Sequence, residues 1–199
     1  MTKIDRLREY LSTLRPPIAV ACSGGVDSTF LVKIALDVHG KQWVYPVFMD
    51  SVFVTEADRS WIEAVSRNLG VQVLRYKWNP LSYLEIRSNT RRRCYWCKLH
   101  MYSIIKEKVK TFGVSQILDG TQGDDLNRDR PGIFAIKKLN ILTPMADLFL
   151  TKDEIRFESN KYSLAPANRP SESCLATKID FGIVITKNQL KQIENGLIN

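Results

Sequence analysis

Residues 22–29 read CSGGVDST, between the apolar run IAVA and the helix-like FLVKIALDVHG. Backbone N–H groups of Gly24, Gly25 and Val26, at the start of a helix, can wrap an anion with help from the helix dipole. Ser23 and Ser28 add hydroxyl donors. Asp27 would repel a phosphate unless a Mg²⁺ ion lies between them, the usual arrangement for a carboxylate near a triphosphate. A lysine-bearing nucleotide loop needs G-x-x-x-x-G-K-S/T, and this stretch has no lysine. The expectation is a magnesium–nucleotide site of another kind.

The cysteines are the second source of chemistry. Four in a chain without a secretion signal are read as ligands or nucleophiles rather than a disulfide framework. Cys94 and Cys97 form a C-x-x-C at a helix start, which places both thiolates on one side. Cys22, at a buried strand end, is read as a small core residue. His39 is read as a surface residue or helix-end partner.

These residues need elements to position them. The chain has 199 residues and a net charge of +8, enough for one domain with a real core. No apolar run approaches the ~20 residues that span a bilayer. The N-terminus, MTKIDRLREYLSTL, has an amphipathic helical pattern without a signal-peptide core, so a cytoplasmic protein is expected. Residues 91–110 hold seven Lys/Arg against one Glu, a basic window suited to a small anionic substrate or to RNA.

Strand-like runs fall at 18–22, 43–49, 71–76 and 116–120. Between the first two, Val26, Phe30, Ile34 and Val38 recur every fourth position, and Gly40 stops the helix. Trp61, Ile62, Val65 and Leu69 mark a second helix ending at Gly70, and 98–112 a third. Such alternation predicts an α/β fold with a doubly wound, mostly parallel sheet. Ligands then sit at the carboxyl ends of the strands, so the loops at 22–28, 50–55 and 120–132 share one rim. Later helices are signalled by the capping pairs Thr151–Glu154 and Thr186–Gln189.

The motif SGGVDS after a buried strand resembles the signature of the PP-loop ATP pyrophosphatases. Four further stretches, RCYWCK (93–98), DGTQGDDLNRDRPG (119–132), TPMADLFLTKDEIR (143–156) and RPSESCLATKIDFG (169–182), resemble the LarE sulfur transferases within that superfamily. Those enzymes use ATP to thiolate a pyridinium-dicarboxylate mononucleotide. The resemblance implies an AMP- and pyrophosphate-forming sulfur transferase acting on a small anionic, nucleotide-like substrate with a sulfide donor, in a homo-oligomer. It implies that Ser23, Gly24, Gly25, Val26, Asp27 and Ser28 hold the ATP phosphates and Mg²⁺. The backbone at Met49 would meet the adenine, Gly120 and Thr121 would flank the nucleotide, and Asp125, Asp129 and Arg130 would line the reacting site. A loop salt-bridge network is the alternative for those three. Residues 1–165 would form the pyrophosphatase domain, and 166–199 a cysteine-bearing loop and C-terminal segment shorter than in the family. Lys178 stands where the family tends to have arginine.

Cys174 matches the family's functional cysteine. Some members give up that cysteine's sulfur to the substrate, whereas others pair it with two more cysteines that hold an iron–sulfur cluster. The resemblance implies that Cys94, Cys97 and Cys174 hold a 4Fe–4S cluster with one iron left open for sulfide. A tetrahedral zinc site of Cys94, Cys97, His100 and Cys174 is the competing reading. The remaining alternatives are a tRNA-thiolating or other RNA-modifying PP-loop enzyme and a non-catalytic nucleotide-binding or iron–sulfur-sensing protein.

Overall fold

The structure, a computed structural model, describes residues 1–126 and 130–197. Strands β1 (Ile18–Ala21), β2 (Val44–Asp50), β3 (Leu74–Lys77) and β4 (Gln116–Leu118) form one sheet in the order β3-β2-β1-β4, and every pairing is parallel. Around them run α1 (Lys3–Ser12), α2 (Val26–His39), α3 (Glu56–Leu69), α4 (Leu84–Arg87), α5 (Arg93–Val109), α6 (Pro131–Lys138), α7 (Pro144–Asp147), α8 (Lys152–Lys161) and α9 (Lys187–Glu194).

Side chains alternate across a strand, so the sheet buries two different sets. Ile18, Val20, Val44 and Phe48 pack with α1, α2, α3 and α8. Ala19, Val47, Met49 and Ile117 pack with Tyr102, Ile105 and Val109 of α5 and Ile136 of α6. Both faces are therefore covered, as a parallel sheet requires. The chain lays β1, β2 and β3 outward in one direction, then crosses to put β4 on the other side of β1. That reversal opens a crevice at the strand ends of β1 and β4.

The expected elements are present with shifted edges. Val71 and Val73 pack on the core without pairing, and β3 begins only at Leu74. The third helix starts at Arg93 rather than 98 and gives way to a 3-10 turn at Lys110–Phe112. Its apolar positions are sparse in the first turns, where cysteines and cations face the crevice, and this hid its beginning. Helices α6 and α7 were not anticipated, although each carries proline in its first turn, a helix-start signal. The capping boxes at Thr151 and Thr186 are both formed. Among the described residues no helix is long and apolar enough to cross a membrane.

Beyond α8 the chain lacks regular structure until a 3-10 turn at Leu175–Lys178 and then α9. Leu175, Ala176, Ile179, Ile185, Leu190 and Ile193 form a third cluster with Phe53, Leu81 and Ile86. Asn89 locks this segment to the front of α5. It is fully buried with φ of 53°, and its side-chain amide donates to the carbonyls of Ile179 (3.2 Å) and Asp180 (2.8 Å). Its own carbonyl accepts from Gly182 N–H at 3.0 Å. Asparagine tolerates the left-handed backbone better than most residues.

Asn89→Ala is expected to destabilise the fold by about 2–4 kcal/mol, the cost of buried hydrogen bonds lost at a left-handed position. Urea denaturation checks this, with Asn89→Gly separating backbone strain from the lost side chain. A loss under about 0.5 kcal/mol, the range of ordinary surface changes, would show that the lock is dispensable.

Candidate active site

A cleft of about 670 Å³ opens at the β1–β4 crevice, lined by the 22–28 loop, Met49, Gly120, Thr121, Asp125, Arg130 and all three of Cys94, Cys97 and Cys174. The loop after β1 is closed on itself. Ser28 Oγ donates to Gly25 O at 3.1 Å, accepts from Ser23 N–H at 3.1 Å, and lies 3.2 Å from Ser23 Oγ. Gly24 has φ of +79°, the left-handed region that glycine occupies without strain. Gly25 is the N-cap of α2 and Val26 its first residue, so their N–H groups have no helical acceptor. Gly120 closes the far wall. A Cβ there would lie 3.0 Å from Ser28 N, so any side chain would make the β4 loop and the start of α2 part by a few tenths of an ångström. Met49 is buried at the end of β2 and forms part of the floor.

Asp27 is bound through one oxygen only. Its Oδ2 accepts from Lys152 Nζ at 2.6 Å, whereas Oδ1 is buried without a hydrogen-bond partner. Burial pushes the Asp27 carboxyl upward, and the Lys152 ammonium only partly offsets it. An orphaned carboxylate oxygen in a polar cleft suits a hard cation, so these residues fit a Mg²⁺ ion. Lys152, the first residue of α8, brings to the loop the ammonium that the loop's own sequence lacks. Nothing in its spacing signalled this, because 125 positions separate it from Asp27. Asp125 and Arg130 both line the cleft and pair with each other at 3.0 Å, as the salt-bridge alternative had it. Asp129 lies outside the described residues.

Asp119, at the end of β4, was also missed. It accepts from Lys98 Nζ (2.7 Å), Thr121 N–H (2.8 Å), the Thr121 hydroxyl and the Tyr102 hydroxyl. Burial alone would raise its carboxyl, but the Lys98 charge and these donors outweigh burial and hold it at about 2. Thr121 is thereby fixed against the wall of the cleft. Two of the seven cations in the basic window are turned inward: Lys98 to Asp119 and Arg93 into the protein.

The cysteines converge from two distant segments. Cys94 and Cys97 lie in the first turns of α5, and Cys174 is the exposed N-cap of the 3-10 turn. Burial and the neighbouring Cys174 and Cys94 thiols push the Cys97 thiol up to about 12. Arg93 joins the segments: one guanidinium nitrogen donates to Asn89 Oδ1 and to Ala176 O (2.7 Å), and the other lies 3.9 Å from Cys94 Sγ. Among the described residues this buried cation has no carboxylate partner within salt-bridge distance. His100 is drawn away to Glu85, 2.8 Å from its Nε2, and stacks on Tyr83. Among the described residues no three His, Cys, Asp or Glu side chains are gathered closely enough for one metal ion. Cys22 is buried, with its thiol raised to about 11 by burial, in keeping with a core role. His39 Nε2 lies 2.9 Å from Leu11 O, joining the end of α2 to α1.

No family model matches the chain. An uncharacterized protein of Synechocystis sp. is 29% identical over 192 residues, covering 96% of this chain and 71% of the relative. An uncharacterized protein of Methanocaldococcus jannaschii is 29% identical over 179 residues, covering 89% and 66%. The pyridinium-3,5-bisthiocarboxylic acid mononucleotide synthase of Lactiplantibacillus plantarum is 27% identical over 176 residues, covering 88% and 64%. The chain therefore spans about two thirds of the length of these curated relatives. Similarity to the synthase, a LarE enzyme, supports the LarE-like resemblance carried by the motifs.

Because the Asp119 carboxyl is lowered from its ordinary 3.8 to about 2, its contribution is complete above pH 4 and is lost as pH falls toward 2. The stability advantage of the wild type over Asp119→Asn is expected to shrink by about 2 kcal/mol across that window. Denaturant titrations at several pH values between 5 and 2 measure it. An advantage that stays constant across the window would rule out this charge network.

Proposed function

We propose that the chain is a LarE-like, ATP-dependent sulfur transferase, with residues 1–165 as a PP-loop pyrophosphatase domain and 166–199 carrying the third cysteine. One observation carries the reading: a lysine-free phosphate loop and three cysteines open into the same cleft. The relative named as a bisthiocarboxylic acid mononucleotide synthase supports a small nucleotide-like acid as the substrate.

In this reading the N–H groups of Gly25 and Val26, which have no helical acceptor, hold the pyrophosphate part of ATP together with Ser23 and Ser28. Asp27 would hold a Mg²⁺ ion, which when bound would supply charge neutralisation for that group. Lys152 is placed to exchange its bond with Asp27 for one with a phosphate oxygen. The backbone at Met49 meets the adenine, while Gly120 and Thr121 flank the nucleotide. A carboxylate oxygen of the substrate attacks the α-phosphorus and the bond to pyrophosphate breaks, leaving an acyl adenylate. A sulfur nucleophile then attacks the acyl carbon, the carbon–oxygen bond breaks and AMP departs. Arg130 offers a guanidinium to the anionic substrate, and Asp125 orients it.

Cys94, Cys97 and Cys174 would hold the 4Fe–4S cluster. What supports this is that all three cysteines open into the one cleft, and three protein thiolates leave one iron of such a cluster without a protein ligand. Such a cluster, when bound, supplies an open iron that accepts sulfide. The inward turn of Lys98 and Arg93 favours a small anion over RNA as the partner of the basic window.

AMP and pyrophosphate are the expected products. Asp27→Ala should lower their formation at least about a hundredfold, through loss of the metal anchor. Cys174→Ala should keep adenylation and lose sulfur transfer. ADP and orthophosphate as products would overturn the assignment. Added sulfide should support many turnovers with Cys174 intact. A single turnover, with Cys174 lighter by H₂S and no iron bound after anaerobic reconstitution, would instead establish the sacrificial cysteine.

A further inference from the structure

Arg169 touches both halves of the cleft without lining up with either set of reacting groups. It is 8% exposed. One guanidinium nitrogen donates to the carbonyl of Gly24 at 3.3 Å, and the other to Asp58 and to Glu172 at 3.2 Å. The guanidinium lies 5.4 Å from the centroid of the Trp61 ring on α3. The arginine's own backbone is fixed as well: its carbonyl accepts from Arg156 at 2.8 Å, and its N–H donates to Pro166 O at 3.0 Å.

Two consequences follow from this placement. The Gly24–Gly25 peptide is trans, so its C=O and N–H point in opposite directions. Holding the Gly24 carbonyl on the Arg169 side therefore turns the Gly25 N–H the other way, toward Ser23 Oγ at 3.4 Å and the phosphate site. The second consequence concerns sulfur. Residues 170–174 are exposed and have no regular structure. At its far end this strap is held by Leu175 N–H donating to Phe53 O at 3.2 Å. Arg169 is the buried anchor at its near end.

We propose that Arg169 is a positioning residue that fixes the phosphate loop and the Cys174 strap against each other, so that nucleotide binding and cysteine placement share one anchor. This rests on the reading of residues 23–28 as an ATP loop. Asp58 keeps the guanidinium in place by pairing with it from the first turn of α3, where it also completes the Thr55 capping box. Lysine retains the charge but not the two-nitrogen fork that serves Gly24 O and Asp58 separately, whereas methionine retains only the bulk.

The test measures Mg·ATP affinity by calorimetry and the rate of Cys174 alkylation by iodoacetamide without nucleotide, using the full chain. Arg169→Met should weaken Mg·ATP roughly tenfold, the effect of losing one preoriented charge-assisted contact, and speed Cys174 alkylation several-fold. Arg169→Lys, which keeps the charge without the fork, should recover only part of each. Should the methionine variant not fold, Arg169→Gln, neutral but still a donor, is expected to shift both readouts in the same directions. Faster alkylation with wild-type ATP affinity would reduce Arg169 to an anchor of the strap alone and overturn the coupling. Two unmoved readouts would overturn it outright. Failure of the wild-type chain to bind Mg·ATP would remove the nucleotide-loop reading, and the coupling with it.

Discussion

The parallel pairing of β1 with β4 is the constraint on which the rest depends. Ile18, Ala19 and Val20 pair with Gln116, Ile117 and Leu118, and this register brings the loops after the two strands side by side. The backbone of Ser28 then meets Gly120 so closely that a side chain there would push the two loops apart. One strand end gives a helix-start loop whose first N–H groups have no helical acceptor, and the other gives the carboxylate of Asp119 that fixes Thr121. A register slip would turn Ile18 and Val20 to the wrong face and separate these loops together.

Around that crevice two buried arginines do what regular structure does not. Arg93 ties the start of α5 to the turn after Cys174, and Arg169 ties the loop after β1 to the segment before it. Both reach across large sequence separations, 83 positions for Arg93 to Ala176 and 145 for Arg169 to Gly24. A guanidinium is suited to this because its planar fork presents several donors in fixed directions. Cys174 thus sits on a stretch without helix or strand, yet both its flanks are pinned by backbone and side-chain bonds.

The residues that could be read from sequence are those whose role is local. SGGVDS signals a helix-start anion loop within six positions, and CYWC places two thiols on adjacent turns. The two capping boxes announced α8 and α9. Apolar periodicity gave the strand order its raw material, although strand edges moved where Val71 and Val73 pack without pairing. What stayed hidden depends on long-range geometry. Lys152 reaches Asp27 only because α8 packs on α2, and Asp119 becomes a hub only once Lys98 and Tyr102 of α5 cover β4. Arg93 looked like one member of a basic run, yet the fold buries it while Arg91 and Arg92 remain exposed.

The position of Arg93 also joins occupancy to persistence. A buried positive charge served by an amide oxygen, a carbonyl and a thiol is hydrogen-bonded but not neutralised. A negative group placed beside the guanidinium would complete that charge balance, and by mass action it would draw the chain toward its folded form. Arg93 and Asn89 hold the 175–185 segment, so opening of that segment is where an uncompensated charge would find water most readily.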